Sequence, residues 1–228
     1  MTTTALAAAV RAAKSTSATG SSRDTRLARS AIVTLFGSVA GLVYELDEVE
    51  ASRRATEQFS PLTDLAVLDV LMGMPAGLPV ALEDLTERER GILRRCPPGA
   101  VDVEGGHLVR RAVPPLSVHL AVVTARDWKV GLRRAGRFAP FCTRMVLLPT
   151  VPGDPSELDV RASFYGCGVA VLDGQRLEVL VEPGQYTRRR HTPAQWRFAE
   201  QVYAEITACA TGYPTMPEPT TRATQTMP

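Results

Sequence analysis

Arginine is the main carrier of chemistry in this chain. Lysine occurs only at Lys14 and Lys129, which leaves 24 arginines among the 26 cations. A guanidinium is a planar, permanently charged fork suited to phosphate and to base edges. Several of these groups cluster by spacing. Arg88, Arg90, Arg94 and Arg95 fall within eight residues, with Arg110 and Arg111 a short way on. Arg126, Lys129, Arg133 and Arg137 recur at steps of three and four, which puts them on one face of a helix. Arg188, Arg189 and Arg190 form a basic loop beside Tyr186. The formal net charge is only +2, so no global field commits the chain to a polyanionic partner.

Other reactive patterns are sparse. No nucleophile elbow and no Gly-Lys-Ser/Thr phosphate loop occurs. His107, His119 and His191 stand far apart and in no ligand pair, and His119 reads as a core or edge histidine of a strand. Cys96, Cys142, Cys167 and Cys209 form no Cys-x-x-Cys pair, so they read as reduced, small apolar residues in a reducing cytoplasm. No catalytic residue, metal site or cofactor is expected. The apolar run 31–44 is 14 residues long, shorter than the ~20 a membrane-spanning helix needs. No membrane association is expected, and the expected location is the cytoplasm.

The elements that must hold these residues can be read in order. Residues 1–28, rich in Ala, Thr, Ser and Arg, predict a disordered tail. Residues 29–60 predict one long apolar helix, because Ile32, Leu35, Val39, Leu42, Leu46 and Val49 repeat at three and four. Such a stripe packs lengthwise on another helix, either within the chain or as a homodimer seam over 30–58. Gly37 and Gly41 would admit a close backbone.

Residues 61–114 predict a helix carrying Leu62, Leu65, Leu68 and Leu71, a turn over 73–79, a short helix over 80–85 and a third helix over 86–96. Thr86 and Glu89 have the spacing of a capping box at the start of that third helix. A hairpin follows, closed by Glu104-Gly105-Gly106-His107. This order resembles the winged helix-turn-helix family of bacterial regulators. The resemblance implies that helix 86–96 enters the major groove of double-stranded DNA and that 101–111 is the wing, with Arg110 and Arg111 near its base. The segment carries six arginines and eight acids, a net −2. Since neutralised phosphates dominate affinity for DNA, a winged helix used for protein contact is the alternative.

Residues 115–210 predict a basic α+β domain. Strands are expected over 117–124, 144–150, 164–172 and 176–181, with helices over 125–138 and from Thr192 to about Ile206. Thr192 would cap that last helix, Pro193 occupy its first turn and Gln195 complete a capping box. From 125 to 200 there are 12 cations and eight acids, a net +4. Asp154, Glu157 and Asp159 precede an expected strand, and Asp159-Val160-Arg161 resembles the acid-x-Lys signature of restriction-endonuclease-like nucleases, with arginine where the lysine would stand. That resemblance implies a degenerate nuclease-like domain used for binding, because arginine does not exchange a proton. Residues 211–228, with many prolines and threonines, predict a second tail.

The expected fold is therefore α+β: a helical N-terminal part with a winged-helix-like module, then a small mixed sheet flanked by helices. The expected function is non-enzymatic binding of double-stranded DNA in transcription regulation or an antitoxin-like role. The contacts would come from Arg88, Arg90, Arg94, Arg95, Arg110, Arg126, Lys129, Arg133, Arg137, Arg188, Arg189 and Arg190.

Overall fold

The structure, a computed structural model, describes residues 3–17, 28–173, 176–188 and 190–210. It is α+β. A mixed sheet of six strands has the order β1-β2-β6-β7-β8-β9, and a second sheet has the order β3-β5-β4. The strands of the large sheet are β1 (Arg29–Leu35), β2 (Ser38–Leu46), β6 (Leu116–Thr124), β7 (Thr143–Leu148), β8 (Gly168–Asp173) and β9 (Arg176–Val181). Those of the small sheet are β3 (Pro79–Ala81), β4 (Val101–Glu104) and β5 (His107–Arg110). The helices are α1 (Thr3–Ser17), α2 (Glu48–Glu57), α3 (Leu65–Gly73), α4 (Glu87–Leu93), α5 (Trp128–Gly136), α6 (Ser156–Tyr165) and α7 (Pro193–Ala210). Among the described residues, no helix is long and apolar enough to cross a membrane.

The expected long helix over 29–60 is replaced by the β1–β2 hairpin and the separate helix α2. Phe36 and Gly37 both have left-handed backbones, φ 52° and 67°, the conformation that a two-residue hairpin turn of matching twist requires. Phe36 is held there by aromatic packing. Its ring is edge-on to Phe138 at 5.2 Å and stacks on Phe141 and Phe198 at 6.0 and 6.1 Å. The three–four spacing misled because β2 is buried on both faces, so its apolar run does not alternate. A helical dimer seam over 30–58 is excluded with the helix itself.

Residues 3–17 are not a tail. Leu6, Ala9, Val10 and Ala13 bury one face of α1 against Val43, Leu120, Val122, Met145 and Leu147 of the sheet. Gly41 admits this helix, since a Cβ there would lie 2.3 Å from Val10 Cγ2. Residues 211–228 lie outside the described residues.

The opposite face of the sheet is covered by α5, α6 and α7, through Ala135, Phe138, Leu158, Ala162, Phe198 and Val202. The crossovers β6-α5-β7 and β7-α6-β8 join parallel strands. Helix α6 replaces the N-terminal part of the strand expected over 164–172, while β8 and β9 pair antiparallel as expected. Cys142 and Cys167 are buried in this core. Burial pushes their thiols up to about 12 and about 11, and Cys96 to about 11. Only the thiolate attacks a disulfide reagent. At pH 8 the native protein should therefore release thionitrobenzoate rapidly from Cys209, which is exposed, and from the other three only after unfolding. More than one rapid equivalent would contradict this packing.

Residues 47–115 leave the sheet between β2 and β6 and return beside their starting point, where the Asp47 amide donates to the Pro115 carbonyl at 2.9 Å. They build a second core from Leu62, Val67, Leu68, Leu71, Leu85, Leu93 and Leu108, and Trp196 of α7 belongs to it. The expected short helix over 80–85 is instead β3 followed by a 3-10 turn, Leu82–Asp84. A buried charge network ties this insertion to the sheet. Arg54 of α2 grips Glu200 of α7 through two hydrogen bonds of 2.6 and 2.8 Å and Glu50 through one of 2.7 Å. Glu200 also accepts from the Trp196 indole at 2.9 Å and the Leu62 amide at 3.2 Å.

Candidate functional site

The capping box that opens α4 is present: Thr86 Oγ1 accepts from the Glu89 amide, and the Glu89 carboxylate accepts from the Thr86 amide. The Thr86 hydroxyl also donates to the Glu89 carboxylate at 2.7 Å, and this bond, then the one from the Thr86 amide, holds the carboxyl below its ordinary pKa. The cap and the buried Leu93 fix the phase of the helix, and Arg88, Arg90, Arg94 and Arg95 are all exposed. Arg95 pairs with Asp64 at 3.2 Å. Arg88, Arg90 and Arg94 have no ion-pair partner among the described residues.

Arg110 does not join this surface. Its guanidinium donates to the Leu71 carbonyl at 2.8 Å and lies 5.5 Å from the Trp196 ring. Burial lowers its pKa. It is a half-buried strut between α3, β5 and α7, and is removed from the expected DNA contacts. Arg111 beside it pairs with Asp102 at 2.5 Å.

Arg126, Lys129, Arg133 and Arg137 are exposed as expected, but only Lys129 and Arg133 lie within α5, since Arg126 precedes its N-cap Asp127 and Arg137 is its C-cap; Gly131 and Ala135 are buried. Two of these cations are engaged within the chain. Lys129 pairs with Glu157 at 3.0 Å, and Arg137 donates to the Phe36 carbonyl at the tip of the β1–β2 hairpin. Arg188 and Arg190 are exposed between β9 and α7; Arg189 lies outside the described residues. Thr192 caps α7 as expected, accepting from the Gln195 amide at 3.2 Å. The Gln195 side chain instead bonds the Tyr186 hydroxyl at 2.7 Å, so it closes no capping box.

Helix α1 covers only part of its face of the sheet. Beyond Ala13 a cleft of about 670 Å³ lies over β2, β6, β7 and β9, lined by Glu45, Ser117, His119, Thr143, Tyr186 and Arg188. His119 stands where the β2–β6 register shifts, between Val118, opposite Tyr44, and Leu120, opposite Val43. Such a bulge re-aims a side chain. It brings His119 Nε2 to 3.6 Å from Glu45 Oε2, with both groups partly exposed. His119 is thus a cleft residue and not a core one. A carboxylate beside an imidazole can hold or pass a proton. Ser117 and Arg188 also line a neighbouring hollow of about 370 Å³ with Arg110, His191 and Trp196, at the joint with the insertion. The sequence carries no local signal for Glu45 with His119, because their contact needs the pairing of strands that the whole insertion separates.

The acids of the nuclease-like reading are elsewhere. Asp154 lies in the loop before α6, and its carboxyl is lowered by accepting from Ser156. Glu157 and Asp159 are in the first turn of α6, so they open a helix and do not directly precede a strand. Glu157 is committed to Lys129 and Arg161, at 3.0 and 2.9 Å. Among the described residues no three His, Cys, Asp or Glu side chains are grouped to hold a metal ion. The chain matches no protein-family model, no curated protein and no solved structure.

Proposed function

We propose that the protein binds double-stranded DNA without reacting with it, in transcription regulation or an antitoxin-like role, and that α4 is the element that meets the duplex. The reading is carried by the three guanidinium groups of Arg88, Arg90 and Arg94, exposed on one short capped helix and free of ion pairs among the described residues. The surrounding order supports a winged helix-turn-helix: α3, β3, α4, then the hairpin β4–β5, with β3 on the far side of β5. The pairs Asp64–Arg95 and Asp102–Arg111 remove equal charge of each sign, so the net −2 of residues 61–114 stands and the reading rests on the local exposure of Arg88, Arg90 and Arg94. Arg126, in the loop before α5, and Arg133, on the outward side of α5, are the cations left to meet flanking phosphate.

Binding to a random duplex should weaken with salt at a slope near −0.9 per phosphate neutralised. The combined reversal Arg88→Glu, Arg90→Glu and Arg94→Glu should reduce affinity by more than about tenfold and flatten that slope. Fluorescence anisotropy over a salt series measures both. No binding at about 50 mM salt would sink the reading, since non-specific contact is strongest there.

A protein partner is the second reading. It is favoured by Leu65, Leu78 and Val103, which stand 42, 59 and 62% exposed on the same module. Under that reading duplex DNA does not bind, and substitutions at Leu78 and Val103 abolish partner capture.

A further inference from the structure

Helices α5 and α6 leave a cleft of about 550 Å³ between them, within the size range of small-ligand sites. Its composition is unusual for a surface hollow. Lys129, Arg133, Arg144 and Arg161 supply four cations, and Trp128, Leu132 and Tyr165 supply apolar wall. One carboxylate approaches it, Glu157, and that group is shared between Lys129 and Arg161. The cations therefore exceed the acid at the cleft by three. Arg144 is set in place, since its guanidinium donates to the Tyr165 carbonyl. Trp128 is half-buried, with the Lys129 ammonium 5.0 Å from its ring. Gly136 forms part of the lining, and a Cβ there would meet no atom within 4 Å.

We infer that this cleft binds a nucleoside phosphate, with the phosphate on Arg133, Arg144 and Arg161 and the base on the Trp128 and Tyr165 side. Three forked cations around one hollow suit a phosphate, which accepts several charge-assisted hydrogen bonds at once. Phosphate alone would leave most of the apolar wall wet. An aromatic base fills it and stacks on the aromatic rings, a contact open to every base through its π-face. The same chemistry is presented by a free nucleotide and by the phosphorylated end of a single strand. The site is separate from the duplex contact proposed for α4; it shares Arg133 with the flanking-phosphate surface, whereas Arg144 and Arg161 belong to no surface assigned to duplex DNA.

Calorimetric titration of the full chain tests this with adenosine monophosphate, adenosine, inorganic phosphate and a 5′-phosphorylated oligothymidylate. The nucleotide or the phosphorylated strand should bind one-to-one, with quenching of Trp128 fluorescence. Binding of the nucleotide alone assigns a free ligand, and binding of the strand alone assigns a strand end. Adenosine and phosphate should each bind at least about tenfold more weakly than the true ligand. Arg144→Gln and Arg161→Gln should each weaken binding about tenfold, the worth of one charge-assisted hydrogen bond. Gly136→Leu should block the cleft with circular dichroism and melting unchanged, and Arg161→Gln, at an exposed position, keeps the test valid if the leucine variant does not fold. The α4 triple reversal should leave nucleotide binding intact, so failure of the duplex reading and failure of this one are told apart. No binding of either phosphorylated probe up to about 10 mM, equal binding of phosphate alone, or binding indifferent to Arg144→Gln and Arg161→Gln would each overturn the assignment.

Discussion

Replacing Glu200 with alanine is expected to destabilise the fold by about 3–5 kcal/mol, because it leaves Arg54 buried without its main counter-charge. Both side chains are almost fully enclosed, at 1 and 0% exposure. Burial depresses the Arg54 pKa, and the hydrogen bonds and charge of Glu200, then of Glu50, more than reverse it. Glu50 cannot take over alone, since Arg53 already bonds both of its carboxylate oxygens at 2.9 Å. Alanine at 200 also orphans the Trp196 indole and the Leu62 amide. Leu62 is buried in the core of the insertion, so the loss should loosen residues 58–114 before the large sheet opens. Urea unfolding with amide exchange checks both parts. The paired change Arg54→Met with Glu200→Gln should cost less than the two single changes added together, because it removes the buried cation along with its anion. Additive losses would show that the pair is not coupled.

What the sequence disclosed follows the range of the forces involved. Helix α4 was legible to its first residue, because a capping box is a contact over three positions and Leu93 sets the phase. Strands β6, β7 and β9 were legible for the same local reason, as runs of Val, Leu and Met between turns. Helix α6 was not. Its N-cap residue, Pro155, offers no side-chain cap, and Val160, Phe164 and Tyr165 stand 69, 82 and 55% exposed, so its inward face is only Leu158 and Ala162. The β1–β2 hairpin was hidden by burial on both sides, although Ile32, Val33, Thr34, Val39 and Val43 favour strands by their branching. The exposure of the α4 and α5 cations was visible in the spacing. The burial of Arg110 was not, since Trp196 reaches it from the far end of the chain. The Glu45–His119 pair and the Arg144–Arg161 side of the α5–α6 cleft likewise depend on packing between elements distant in sequence.

Helix α1 yields the sharpest test of the overturned expectation. Gly41→Ala is expected to destabilise the protein by about 1–3 kcal/mol, the range for an added methyl in a packed core. The new Cβ would lie 2.3 Å from Val10 Cγ2 and 3.2 Å from Leu6 Cδ1. Val10 is β-branched and stiff at χ1, so it cannot swing aside as a long flexible chain would, and the whole helix must lift. Leu6, Ala9, Val10 and Ala13 would then lose contact with Val43, Leu120 and Val122. Adding Val10→Ala should restore part of the loss by removing the opposing methyl groups. A docked helix and a free tail give opposite signs here. If residues 3–17 did not pack on β2, alanine would be neutral or stabilising, since glycine within a strand loses more backbone freedom on folding. Urea midpoints of the two single variants and the double variant decide the sign. Amide exchange over residues 6–13, slow in the parent and fast in Gly41→Ala, locates the effect on the helix.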